Sequence, residues 1–160
     1  MMGSGKSTVG RILASRLGVD LKDSDAMIEA TTGRTVREIF AADGEPAFRA
    51  FETQALQQAL ATNERCVIAG AGGIVLAAEN RLLLKSTSPV IWLRCDPVEL
   101  ARRVMDGSTH RPLLAEDPVG VLKKMHLDRA TLYGEVATNI IDVDGRAPSE
   151  IADEIQELLK

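Results

Sequence analysis

The sequence predicts an α/β protein, a parallel sheet with helices on both faces. Two observations predict it. Short β-branched runs alternate with longer helical patterns along the whole chain, and a glycine-rich turn stands directly ahead of the first helix. Strand, helix and strand in series build βαβ units, and those units make parallel sheets covered on both faces.

The elements follow in order. Val9, Ile12, Leu13 and Leu17 share one face of a helix starting near Lys6. The strand candidates are 19–22, 66–69, 90–93 and 139–143, each bounded by Gly, Pro or Asp. Ala47, Phe48, Phe51 and Ala55 make an apolar stripe after Pro46, a residue suited to a first helical turn. Asp96-Pro97-Val98-Glu99 is a capping-box pattern. Pro148-Ser149-Glu150 opens a last helix carrying Ile151, Ile155, Leu158 and Leu159. Residues 105–118 are polar, turn-rich and without period. A loop of that length within a compact domain is usually functional, so this segment is expected to act as a lid.

Composition bounds the class. The 160 residues predict one domain over 1–160, with an ordinary globular 45% hydrophobic and 26% charged residues. A net charge of -4 argues against nucleic-acid binding by bulk positive charge, and three Phe, one Trp and one Tyr leave little for base stacking. Cys66 and Cys95 lie in short apolar runs and read as free thiols in a reducing compartment. The longest weakly polar stretch, 66–78, is too short and too broken by glycine to span a bilayer. No charged and apolar leader directs export. The expectation is a cytoplasmic monomer with no membrane or nucleic-acid partner.

The strongest motif is Gly3-Ser4-Gly5-Lys6-Ser7-Thr8. It fits the second half of the phosphate-loop pattern G-x-x-x-x-G-K-[ST]. Small residues let successive backbone N–H groups turn onto phosphate oxygens, and the helix that follows adds its positive end. Lys6 would reach the β- and γ-phosphates, and the Ser7 hydroxyl would ligate Mg²⁺. The competing reading is a glycine-rich turn that only caps a helix. Asp23 and Asp25 stand at a strand's carboxyl end, where ligands of parallel sheets gather. One could serve the metal and the other an acceptor hydroxyl, or the pair could merely cap the next helix.

Further motifs follow: Gly44-Glu45-Pro46-Ala47-Phe48-Arg49, Gly70-Ala71-Gly72-Gly73, Arg111-Pro112-Leu113-Leu114, and Arg129 ahead of Leu132-Tyr133. With D-S-D-x-x-I-E at 23–29, they resemble shikimate kinase, a small phosphate-loop kinase, over essentially the whole chain. The resemblance implies the three-layer phosphate-loop kinase fold and ATP-dependent phosphorylation of the shikimate 3-hydroxyl with Mg²⁺, on the route to chorismate and the aromatic amino acids. It implies roles as well. Asp25 looks like the acceptor-hydroxyl ligand and base. Arg49 and Arg129 look like the clamp on the shikimate carboxylate, with Gly72 and Gly73 against the ring. Lys6 and Arg111 look catalytic at the phosphoryl group. Gly3, Ser4, Gly5, Lys6, Ser7, Thr8 and Arg111 match the ATP phosphate site. Arg103 and Pro148 resemble the pair around adenine, with Arg146 beside them. Ser7 and Asp23 match the metal site.

Physical chemistry agrees with such roles. Guanidinium forks match carboxylates, and phosphoryl transfer needs in-line positioning and positive charge around the equatorial oxygens. A single arginine is more commonly a solvated surface charge. A gluconate-type kinase and a nucleotide-binding module without turnover are the other readings. His110, beside Arg111, is expected to face solvent and His126 to lie on a helix, so two His and two Cys, widely separated, make no metal site. Trp92 is expected in the core.

The chain departs from the family pattern in two places. Ala71 stands where the family has glycine. A phosphate loop also normally hangs between a strand and a helix, and the 160 residues contain only the helix. In the resembling family that strand is the central one. The sheet is therefore expected to be incomplete at its centre or filled by a neighbouring element. The natural protein is expected to carry a β-branched strand ending in Gly just before Met1.

Overall fold

The computed structural model describes residues 1–87, 89–106 and 117–160. Its elements are α1 (Lys6–Leu17), β1 (Asp20–Asp23), α2 (Ser24–Thr32), α3 (Val36–Leu60), β2 (Cys66–Ala69), α4 (Ala78–Lys85), β3 (Ile91–Arg94), α5 (Pro97–Asp106), α6 (Pro118–Val136), β4 (Asn139–Asp142) and α7 (Pro148–Leu158). All four expected strands form, within a residue of the expected bounds.

Local chemistry explains the helices. α1 buries Val9, Leu13 and Ala14 along its expected stripe and stops at Gly18, which adopts left-handed backbone. α3 begins earlier than Pro46 suggested, because Thr35 and Glu38 close a capping box ahead of it. Gly44 breaks its regular backbone at φ 79°, and the stripe of Phe48 and Ala55 continues beyond Pro46. At α5 the expected reciprocal box is not made. Asp96 accepts from Val98 N, but Glu99 turns to Arg102 and Arg103, and Asp144 accepts from Asp96 N in its place. At α7, Glu150 reaches back to Ala147 N at 2.8 Å.

The described strands form two parallel pairs, β1 with β2 and β3 with β4. Asp20 faces Cys66 in the first ladder, and Ile91 faces Asn139 in the second. A cavity of about 610 Å³ lies between them, walled by β2 and β3 and by apolar side chains of α1, α3 and α7, among them Leu13, Leu56 and Ile155. The larger core centres on Leu100, Leu122, Ile141 and Val143, and a second joins Ile28, Ile39, Phe48 and Ala55 between α2 and α3. Trp92 is half-buried rather than central, stacked 5.3 Å from Tyr133. Cys95 is buried, Cys66 half-buried, and both thiols are free. No helix among the described residues is long and apolar enough to cross a membrane.

Candidate functional site

The 610 Å³ cavity is lined mostly by apolar side chains, and Met1, Lys6 and Gly72 also line it. On one side stands the start of α1. Gly5 takes left-handed backbone (φ 89°) at its N-cap, a geometry that disfavours a side chain. α1 carries neither a capping side chain nor an acid in its first turn. The other described helices have one or the other: Asp23 caps α2, Thr35 caps α3, Asp117 caps α6, and Glu79, Glu99 and Glu150 stand in the first turns of α4, α5 and α7. A helix start without a side-chain cap or an acid suits an outside anion. Lys6 Nζ and Ser4 Oγ both donate to Met1 O, at 2.5 and 2.9 Å, which folds the loop over itself.

Ser7 Oγ donates to Asp23 Oδ2 at 2.5 Å. Asp23 Oδ1 meanwhile accepts from Asp25 N and Ala26 N. So the helix-cap reading holds for Asp23, which also faces the phosphate loop, while Asp25 stands exposed in the first turn of α2. No cluster of three metal-ligating side chains occurs among the described residues. The Ser7–Asp23 pair nevertheless fits Mg²⁺, a hard cation usually held by one or two protein oxygens with phosphates and water completing its shell.

The turn after β2 organises the other side. Ala71 N donates to the buried Ser24 Oγ at 2.8 Å, which ties the turn to the β1–α2 junction beside Asp25. Gly72 O accepts from Arg129 Nη1 at 3.3 Å and from Tyr133 Oη at 2.5 Å. A Cβ on Gly73 would lie 1.8 Å from Arg49 Nη1, so the guanidinium lies on bare backbone. Ala71 takes no positive φ, so its methyl group meets no backbone conformation that requires glycine. One short turn thus touches α2, α3 and α6, and gathers Arg49 and Arg129.

Arg49 is held by two carboxylates, Glu45 Oε1 at 2.6 Å and Glu52 Oε2 at 2.5 Å. Burial is the largest influence on Glu52 and pushes its carboxyl above the ordinary value. Arg49 and Arg129 oppose the shift, and Asp25 adds to it. Those influences set Asp25, Arg49, Glu52 and Arg129 within electrostatic reach of one another. Burial also raises the Tyr133 phenol, against the pull of Arg129. Sequence reasoning missed Glu52 and Tyr133. The available signal was helical spacing: Glu52 is three residues beyond Arg49, and Tyr133 four beyond Arg129.

Arg103 donates to Val143 O at 2.9 Å and pairs with Glu99. Arg146 pairs with Glu154 and bonds Asp142 O. Both therefore stand at the β4–α7 connection that leads to Pro148. Arg111, His110 and most of the expected lid lie outside the described residues.

Comparison with known proteins decides the family. Residues 2–160 match the family described as shikimate kinase. The chain belongs to the shikimate kinase family. A shikimate kinase of Symbiobacterium thermophilum is 43% identical over 100% of this chain and 92% of its own length, and one of Salinispora tropica is 45% identical over 98% and 92%. Among solved structures, shikimate kinase from Acinetobacter baumannii in complex with shikimate superposes with a TM-score of 0.90 at 35% identity, covering 99% of this chain and 88% of that one. The Bacteroides thetaiotaomicron enzyme gives 0.89 at 29% identity, covering 99% and 93%. Shikimate kinases are ATP-dependent phosphotransferases acting on shikimate, in aromatic biosynthesis, and their phosphate-loop kinase fold is the fold of this chain.

Proposed function

We propose that this chain transfers the ATP γ-phosphoryl group to the 3-hydroxyl of shikimate, with the phosphates on the α1 side of the site and the acceptor on the β2-turn side. One observation carries the division of labour. α1 presents an N-terminus with no side-chain cap and no acid, and the Gly70–Gly73 turn beside it gathers two arginines next to a first-turn aspartate. An anion-binding helix end suits ATP, and paired guanidinium groups suit an acceptor carboxylate.

The residues divide the work. Gly3 to Thr8 hold the phosphates through backbone N–H groups, and Lys6 supplies a charge to the transferring group. Ser7 and Asp23 would hold Mg²⁺, which would supply positive charge against the phosphate oxygens. Arg103, Arg146 and Pro148 border adenine. Arg49 and Arg129 fix the shikimate carboxylate while Gly72 and Gly73 let the ring approach the backbone. This orients the hydroxyl in line for attack, the larger part of what such a reaction asks of a protein. Asp25 accepts the hydroxyl proton as the new P–O bond forms and the bond from the γ-phosphorus to the bridging oxygen breaks, with ADP as the leaving group. Arg111 completes the charge on the phosphoryl group. The enzyme acts as a cytoplasmic monomer, with residues 105–118 as the lid of a single domain.

Release of ADP, followed in a coupled assay with and without Mg²⁺, tests the reading. Turnover with shikimate that needs Mg²⁺ and is absent with gluconate supports it. ATP binding without turnover on either acceptor overturns it in favour of a binding module.

A further inference from the structure

We infer that Tyr133 is a positioning residue for the acceptor clamp: its hydroxyl satisfies Gly72 O, so that Arg129 is released to the acceptor's carboxylate. The inference rests on the acceptor reading above.

Gly72 O has two donors of unequal quality. Tyr133 Oη stands at 2.5 Å, while Arg129 Nη1 stands at 3.3 Å, long for an N–H···O bond. Both donors come from one face of α6, four residues apart. The phenol is held in place. Its residue is 7% exposed, and its ring stacks on Trp92 at 5.3 Å with 30° between planes. Burial raises its pKa, so it stays a protonated donor at neutral pH. Arg129 is bonded to neutral groups, the Gly72 carbonyl and the Tyr133 hydroxyl, unlike Arg49, which two carboxylates hold. An arriving carboxylate makes a charge-assisted bond and competes well with that carbonyl.

What happens to the carbonyl then decides the cost. With Tyr133 present, Gly72 O keeps its shorter bond when Arg129 turns to the substrate. Without the hydroxyl, Arg129 would be the carbonyl's remaining donor in this arrangement, and every binding event would either leave Gly72 O unpaired or hold the guanidinium back. A polar group left without a partner is the expensive outcome.

Tyr133→Phe keeps the ring and its stacking on Trp92 and removes the hydroxyl, with its bond to Gly72 O and its hydrogen bond with Arg129. Its shikimate KM, and its shikimate Kd by titration calorimetry, are expected to rise about five- to tenfold. The kcat and the ATP KM are expected to stay within about twofold of the parent. The same change in an Arg129→Ala background is expected to add nothing to Kd, because there is no guanidinium left to release. A purely structural role would instead raise Kd by the same factor in both backgrounds. Either that result, or an unchanged Kd in Tyr133→Phe alone, overturns the inference. Failure of the underlying acceptor reading is visible separately, as an Arg129→Ala variant that binds shikimate like the parent.

Discussion

Arg49 Nη1 lies 2.5 Å from Glu52 Oε2, and the Glu52 side chain is 1% exposed. The acceptor-clamp arginine is thus also the counter-ion of a buried carboxylate. Arg49→Ala removes both functions. It is expected to raise the shikimate KM and to lower the unfolding free energy by about 3–5 kcal/mol, the usual cost of leaving a buried charge unpaired. Arg49→Lys keeps the charge and loses the planar fork, so it should raise KM with much less loss of stability. Urea melts and initial rates on both variants check this. An Arg49→Ala protein as stable as the parent would show that Glu52 is protonated in the native state.

Gly73 offers a test that leaves every charge in place. Its backbone has no positive φ, so alanine is conformationally allowed there, yet its Cβ would meet Arg49 Nη1 at 1.8 Å and the guanidinium carbon at 2.4 Å. Arg49 must move. Gly73→Ala is expected to raise the shikimate KM at least about tenfold and to spare the ATP KM, since misplaced positioning groups cost rate and affinity steeply. A variant with the parent's shikimate KM would place the carboxylate away from Arg49.

Much of this was legible from local signals. The phosphate loop, the strand positions and the terminal proline of α7 are each written in a few neighbouring residues. The arginines could be picked out only through the family resemblance, because a lone arginine looks the same whether it is solvated or clamped. Glu52 and Tyr133 were not legible for a different reason. The spacing that sets each beside an arginine is local, but not the burial of Glu52 under Arg49 nor the reach of Tyr133 to a carbonyl in another element. Asp96–Glu99 misled because the capping-box pattern does not reveal that Arg102 and Arg103 compete for Glu99, nor that Asp144 can take over the bond to Asp96. Asp23 was ambiguous between cap and ligand support, and it is bonded in both directions at once.

Two glutamates should tilt the pH dependence of stability in opposite directions. Bonds first from Arg102 and then from Arg103 hold the Glu99 carboxyl down at about 2, against an ordinary 4.5. Its contribution is complete above about pH 4.5 and is lost as pH falls towards 2. Glu52 is raised above 4.5, mainly by burial, so the native state binds its proton more tightly than the unfolded chain does. That favours the native state below its ordinary value and is lost as pH rises from 4.5 through the raised value. Glu99→Gln is expected to flatten the acid limb of a plot of urea midpoint against pH, with the difference shrinking in high salt because the Arg102 side of the pair is exposed. Glu52→Gln should flatten the decline just above pH 4.5. Curves for both variants that parallel the parent's would refute these assignments.

Asp25 gives the sharpest separation of chemistry from structure. Asp23, not Asp25, caps α2 and accepts the Ser7 hydroxyl. Asp25 is exposed in the first turn, within electrostatic reach of Glu52, and near a turn anchored to Ser24. Its carboxylate favours the start of the helix through the dipole, a contribution of about 0.3–1 kcal/mol. Asn at this position keeps the shape and an acceptor oxygen but cannot take a proton at neutral pH. Asp25→Asn is therefore expected to lower kcat by about 10²–10⁴-fold while the melting temperature moves little and ATP binding is unchanged. Asp23→Asn should behave differently, weakening both the cap and the Ser7 contact, and so lowering stability and ATP-dependent turnover together. Single-turnover kinetics and thermal melts on the two variants would show the difference. Parent-like turnover in Asp25→Asn would remove it from the chemistry and leave in-line positioning, without a base, to account for the rate.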